Sequence, residues 1–182
     1  YKLVAEYFDN DGEAIAKLAW RTPSTDSESL LDAYGDAGEI IRGSDLTIAG
    51  LGIDRTIERE GQDRSTIELP EDQQIFIEEA YKANPNTVVV LVAGSSLAIN
   101  WIDQNIPAVL DALYPGEQGG TAVAEALFGD YNPGGRLPLT FYNSLSDLPA
   151  FDDYNVRNNR TYMYFEGKPL YPFGYGLSYT DF

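Results

Sequence analysis

The run Thr87-Val88-Val89-Val90-Leu91-Val92-Ala93 constrains this chain most. Six of its seven residues are apolar and five are β-branched, so it reads as a strand buried on both faces, not one side of a solvated hairpin. Strands of that kind belong to parallel sheets, which need crossover segments, usually helices, to cover them. The flanking sequence supplies such segments. Before the run, Pro70 with Glu71 and Asp72 marks a helix start. Ile75, Phe76, Ala80 and Tyr81 form its apolar stripe, and Asn84-Pro85 ends it.

A second short apolar run, Leu46-Thr47-Ile48-Ala49-Gly50-Leu51-Gly52, ends in glycines as a buried parallel strand does. Ala108 to Leu113 reads as a third strand, stopped by Pro115-Gly116. A helix from about Thr121 to Phe128 follows, then a strand from Leu137 to Phe141 after the turn Asn132-Pro133-Gly134-Gly135. Leu30, Leu31, Ala33, Ala37, Ile40 and Ile41 suit a helix ahead of the first strand. The expected class is α/β, a mostly parallel open sheet with helices on both faces.

Two segments fall outside that frame. Residues 1–22 alternate in a β manner around Asp9-Asn10-Asp11-Gly12 and read as a hairpin, with residues 23–29 as a polar linker. A lone hairpin is marginal in water, so this one is expected to be the remnant of a larger β-sandwich. Because the chain starts at Tyr1 in mid-strand, it reads as a piece of a longer protein. The tail from Pro149 on, aromatic and rich in Gly and Pro, reads as an extended arm on the surface of the domain spanning 30–182.

Composition removes whole classes of chemistry. Among 182 residues there is no His and no Cys, which excludes a Ser–His triad, a thiolate nucleophile, disulfides and Cys/His zinc sites. The formal charge of −17 makes nucleic acid an unsuitable partner, and no apolar run approaches a bilayer's span. What remains is carboxylates, Tyr, Lys, Ser and backbone.

Three segments fall at carboxyl ends of expected strands, where open α/β sheets bind ligands. Gly52 to Arg64 packs four acids and three Arg into thirteen positions. Such a loop either places a carboxyl group with a tuned pKa or is simply solvated. Gly94-Ser95-Ser96 reads as a plain turn. Tyr114-Pro115-Gly116-Glu117-Gln118-Gly119-Gly120 leads into a helix N-terminus, either as an anion site or as structure. The tail aromatics Tyr162, Tyr164, Phe165, Tyr171, Phe173, Tyr175 and Tyr179 could stack on sugar rings or anchor the arm.

Taken in order, these segments resemble the C-terminal α/β sandwich domain of family 3 glycoside hydrolases. The marks are Glu60-Gly61-Gln62-Asp63-Arg64, Leu69-Pro70, Ala83-Asn84-Pro85-Asn86, Tyr114-Pro115-Gly116, Leu127-Phe128-Gly129 through Asn132-Pro133-Gly134-Gly135-Arg136-Leu137-Pro138, and Tyr171-Pro172-Phe173-Gly174-Tyr175-Gly176-Leu177-Ser178-Tyr179-Thr180. Glu58-Arg59-Glu60-Gly61 and Asn159-Arg160-Thr161-Tyr162 with Tyr164-Phe165 look more like the β-xylosidase and arabinosidase branch than the β-glucosidases. Residues 1–22 resemble the last hairpin of a protective-antigen-type sugar-binding insert. Glu117-Gln118 stands in the opposite order from the family's usual pattern.

The resemblance implies a retaining, exo-acting hydrolysis of an oligosaccharide or aryl glycoside by two carboxyl groups ~5–5.5 Å apart. It puts the nucleophile on an N-terminal barrel domain of the same polypeptide, outside this chain. The general acid/base would then be Glu60, with Glu58 the competing choice, since in an extended loop the two share a direction. Burial under substrate and barrel would raise its pKa as an acid/base requires. Asp63 and Arg64 are expected to support the loop as a pair. No cofactor or metal is implied, and polysaccharide breakdown outside the cytoplasm (periplasmic or extracellular) is the expected setting. A non-catalytic carbohydrate-binding or scaffold role is the alternative, and β-glucosides the alternative substrate.

Overall fold

The computed structural model describes Leu31 and residues 35–180. The hairpin expected at 1–22 and the linker at 23–29 lie outside the described residues. The elements are α1 (Ala37–Gly43), β1 (Thr47–Gly52), α2 (Glu71–Ala83), β2 (Thr87–Val92), α3 (Asn100–Asn105), β3 (Val109–Asp111), α4 (Gly119–Phe128) and α5 (Thr161–Tyr164). The three strands form a parallel sheet in the order β1-β2-β3, so β2, the most apolar, is central. Thr47 pairs with Thr87 through to Gly52 with Val92, and Val89 pairs with Val109. The α/β class stands.

The strand period puts Ala49 and Leu51 beside Val89 and Leu91 in one core. Ile77 of α2 and Ile102 of α3 enter the same cluster, both fully buried, together with Ile53, Leu97, Ile99 and Phe141. Each such side chain contributes roughly 1.5–3 kcal/mol by leaving water. Ile48, on the opposite side of β1, is 45% exposed.

Helix α2 has the limits its sequence signals. Pro70, with ψ 137°, sits at the cap, one place before the first helical residue, and Glu71 and Asp72 occupy the first turn. At the other end Asn84 is extended, and its side-chain amide donates to the carbonyls of Ile41 (3.2 Å) and Ser44 (2.8 Å). That bond ties the exit of α2 to the α1–β1 junction, where Ile41, Ala80 and Leu31 form a second small cluster.

Several sequence expectations are corrected. Helix α1 is confined to 37–43 among the described residues, and α4 begins at Gly119, two places before Thr121. The six-residue α3 and the one-turn α5 were not foreseen. Residues 137–141 do not join the sheet. Leu137 donates to Tyr175 (2.8 Å) and accepts from Gly174 (2.8 Å), while Phe141 and Tyr171 exchange both backbone bonds (2.9 and 3.2 Å). The segment pairs with the returning tail, because alternating Leu137, Leu139 and Phe141 looks the same whichever partner it finds.

Aromatic packing completes this anchoring. Tyr142 meets Phe165 edge-on at 5.0 Å, and Tyr162 stacks on Phe173 at 4.4 Å. The Tyr171 hydroxyl donates to Asp103 of α3 at 2.5 Å, and burial with that carboxylate pushes the phenol well above its usual range.

At the end of β3, Asp111 accepts the Leu113 N–H (3.1 Å), but its second oxygen is buried with no hydrogen-bond partner among the described residues, and burial raises its pKa. The ionised form is thus disfavoured in the folded state, so its cost is present at neutral pH and vanishes below the ordinary carboxylate range. Asp111→Asn should therefore raise the melting temperature at pH 7, with the difference shrinking as pH falls toward about 4 and gone below it. Gly52 has φ +146°, and a Cβ there would stand 1.8 Å from the Val92 carbonyl oxygen. Gly52→Ala should lower stability by about 3 kcal/mol, read as the shift in denaturant midpoint at constant slope.

Candidate functional site

Gly52 is the last strand residue of β1, and its position is held from two sides. Ile53 N–H donates to the Val92 carbonyl (3.0 Å), and the Gln73 side-chain amide bonds both the N–H (2.8 Å) and the C=O (2.7 Å) of Gly52. A glutamine from the first turn of α2 thereby stands in for a missing neighbour strand. Beyond Ile53 the chain leaves the sheet. Asp54 Oδ1 accepts the Thr56 N–H (2.8 Å) and hydroxyl (2.5 Å), an Asx-turn, and the Asp54 carbonyl accepts from Ile57 and Glu58 (3.0 Å each). Ile57 packs back on the core.

Residues 59–62 then form a tight turn. Arg59 and Gln62 exchange backbone bonds of 3.2 and 2.9 Å, and Gly61 takes φ +76°, as the second central position of a type II turn requires. Glu60 and Gly61 are its exposed tip. Two residues outside the turn, Glu58 and Arg64, close its base. Arg64 Nε meets Glu58 Oε2 at 2.5 Å, with the two side chains only 9% and 24% exposed.

A third residue joins them from the turn after β2. The Ser95 hydroxyl donates to the Glu58 carboxylate (2.7 Å to Oε2, 2.9 Å to Oε1) and accepts from Arg64 Nη2 (2.8 Å), which also reaches the Ser96 carbonyl (3.0 Å). Charge-assisted bonds of this kind contribute roughly 1.5–3 kcal/mol each, here offset by removing both charges from water. Arg64 Nη1 is buried with no hydrogen-bond partner among the described residues.

The predicted site residues therefore separate. Glu58 and Glu60 do not share a direction, since the chain between them turns and is not extended. Glu58 is half-buried with both oxygens engaged, whereas Glu60 is exposed with no hydrogen bond or ion pair to the described residues. Arg64 is paired with Glu58 and not with Asp63, which is exposed and makes no such contact among the described residues. The sequence alone shows Ser95 only as part of a plain turn. Its position at the carboxyl end of the most apolar strand was the available signal.

The third carboxyl-end segment converges on the same place. Tyr114 lies over Gly94, where a Cβ would come within 2.3 Å of its ring, and its hydroxyl points to the Ile53 carbonyl at 3.5 Å. Beside the loop, a depression of about 360 Å³ opens over the ends of β1 and β2, lined by Gly50, Gly52, Asp54, Thr56, Gln73 and Val92. Glu117 is exposed ahead of α4. Among the described residues no group of three His, Cys, Asp or Glu could hold a metal ion, and no helix is long and apolar enough to cross a membrane.

Comparison with known proteins places this geometry. Residues 6–179 match the glycosyl hydrolase family 3 C-terminal domain. The xylan 1,4-beta-xylosidase of Xylanibacter ruminicola is 48% identical over 122 residues, 67% of this chain and 14% of that protein. Beta-glucosidase B of Emericella nidulans is 35% identical over 184 residues, 87% of this chain and 22% of its own length. Among solved structures, the GH3 exo-beta-xylosidase XlnD, in complex with a xylobiose aziridine activity-based probe, superposes with a TM-score of 0.75 at 33% identity. That match covers 81% of this chain and 20% of the other. Beta-glucosidase from Kluyveromyces marxianus, in complex with glucose, gives 0.74 at 34% identity, covering 80% and 19%. The chain thus spans less than a quarter of the length of each of these relatives. With the family model matched over nearly the whole sequence, the chain belongs to glycosyl hydrolase family 3, as its C-terminal domain.

Proposed function

We propose that this chain is the part of a retaining, exo-acting β-xylosidase that carries the general acid/base, with Glu60 in that role. The nucleophile lies on a barrel domain elsewhere in the same polypeptide. The observation that carries the reading is the split between the two glutamates. Glu58 has its carboxylate held by Ser95 and Arg64, which fixes it at the base of the turn as a structural partner. Glu60, two residues on, stands exposed at the tip of the turn that Glu58 and Arg64 brace.

In such a reaction the nucleophile attacks the anomeric carbon while the acid protonates the departing oxygen. The same residue, now a carboxylate, takes a proton from the water that releases the sugar. This division needs one carboxyl group that can move between protonation states against substrate and a frame that fixes it. Glu60 supplies the first; Glu58, Arg64 and Ser95 supply the second. Similarity to the Xylanibacter β-xylosidase, the highest identity given above, favours β-xylosides over β-glucosides. The substrate is an oligosaccharide or an aryl glycoside, and the setting is polysaccharide breakdown by an exported protein.

The full-length parent enzyme tests this on an aryl β-xyloside with a good leaving group, with and without azide. Glycosylation by such a substrate needs no proton, and a small anion replaces the activated water. Glu60→Ala should lose most turnover and regain about tenfold or more with azide, yielding the β-xylosyl azide. Glu58→Ala should show no rescue. Rescue in Glu58→Ala alone, or in neither variant, would remove Glu60 from this role.

A further inference from the structure

We propose that Ser95 is a positioning residue for the hydrolytic step, acting through the clamp it forms with Glu58 and Arg64; this rests on the reading of Glu60 as the acid/base. The geometry is closed. Glu58 and Arg64 bracket the turn 59–62, one on each side, and their ion pair draws the two ends of the excursion together. An ion pair within one loop fixes the loop's shape but not its place on the domain. Ser95 supplies the place, because its hydroxyl bonds both partners at once and belongs to the turn leaving β2, 37 residues from Glu58 and 31 from Arg64. The Ser96 carbonyl adds a second bond from the same turn to Arg64.

That turn is itself rigidly set. Residues 87–92 form the central strand, Gly94 is covered by the Tyr114 ring, and Leu97 and Ile99 are buried in the core. Ile57 packs on the core and the Ala98 N–H donates to the Ile67 carbonyl (2.8 Å), but neither holds the turn 59–62 itself. The turn 59–62 is exposed, and the longer side-chain bonds within it, Gln62 Nε2 to the Thr56 carbonyl (3.4 Å) and Arg59 Nη1 to the Arg55 carbonyl (3.3 Å), stay inside the loop. Removing the Ser95 hydroxyl would leave the ion pair formed but tied to the strand ends only by the Arg64–Ser96 bond, with Glu58 no longer held there. A displacement of an acid/base by about 1 Å is enough to cost roughly a hundredfold in rate.

The test compares Ser95→Ala and Ser95→Thr with wild type in the full-length parent enzyme. Two substrates are used: an alkyl β-xyloside, whose poor leaving group needs the proton, and a dinitrophenyl β-xyloside, whose leaving group does not. Ser95→Ala should lower kcat/KM on the alkyl xyloside by about tenfold to a hundredfold and on the dinitrophenyl xyloside by no more than about threefold. Ser95→Thr, which keeps the hydroxyl, should restore most of the loss. In the Glu60→Ala background Ser95→Ala should change kcat/KM on the alkyl xyloside little, since the group it positions is gone. Equal losses on both substrates, wild-type behaviour of Ser95→Ala, or the full loss repeated in the Glu60→Ala background would each overturn the positioning role. Absence of azide rescue in Glu60→Ala alone would instead overturn the assignment on which that role rests.

Discussion

The parallel pairing of β1 with β2 fixes where chemistry can sit in this domain. With Thr47 opposite Thr87 and Gly52 opposite Val92, the two strands run out of partners at the same level. The loop leaving β1 and the turn leaving β2 therefore start side by side. Gly52 makes that level possible, since any side chain there would collide with the Val92 carbonyl. Gln73 seals the outer edge with two bonds to the Gly52 backbone, so the strand ends without orphaned polar groups. From this shared level Ser95 can touch both Glu58 and Arg64, and a register shift of one residue would separate them.

Above the strand ends, the domain uses charge sparingly inside and freely outside. The chain carries 29 acids and 12 bases, and in this loop Glu58 and Arg64 are drawn inward as a pair. Burying an ion pair adds little net stability once desolvation is counted. It does add definition, because breaking one partner strands the other. The outcome is one glutamate held in a clamp and another, two residues away, left exposed.

The fold was legible where the signal is local. The β-branched run 87–92 could only be a buried strand, and Pro70 with Asn84-Pro85 bounded α2 to within a residue. Helix α3 escaped because six residues ending in Asn carry no full apolar stripe. The segment 137–141 was mistaken for a sheet strand because alternation reveals a β conformation and not its partner. At the site, the residue motif pointed to the loop and to both glutamates. Their separation depended on contacts 31 and 37 residues away, which no local pattern contains. Parity of position, valid for an extended loop, fails across a turn with a left-handed glycine at its tip.

Family membership and strand-end geometry lead to the proposal that Glu60 and not Glu58 faces the bond that is cut. The most direct measurement is a crystal structure of the full-length parent enzyme holding a non-hydrolysable thio-linked xyloside. The expected result has the Glu60 carboxyl group within hydrogen-bonding reach of the glycosidic sulfur, with Glu58 still bound to Arg64 and Ser95. A structure in which Glu58 leaves that clamp to reach the sulfur, or in which neither glutamate approaches it, would contradict the account.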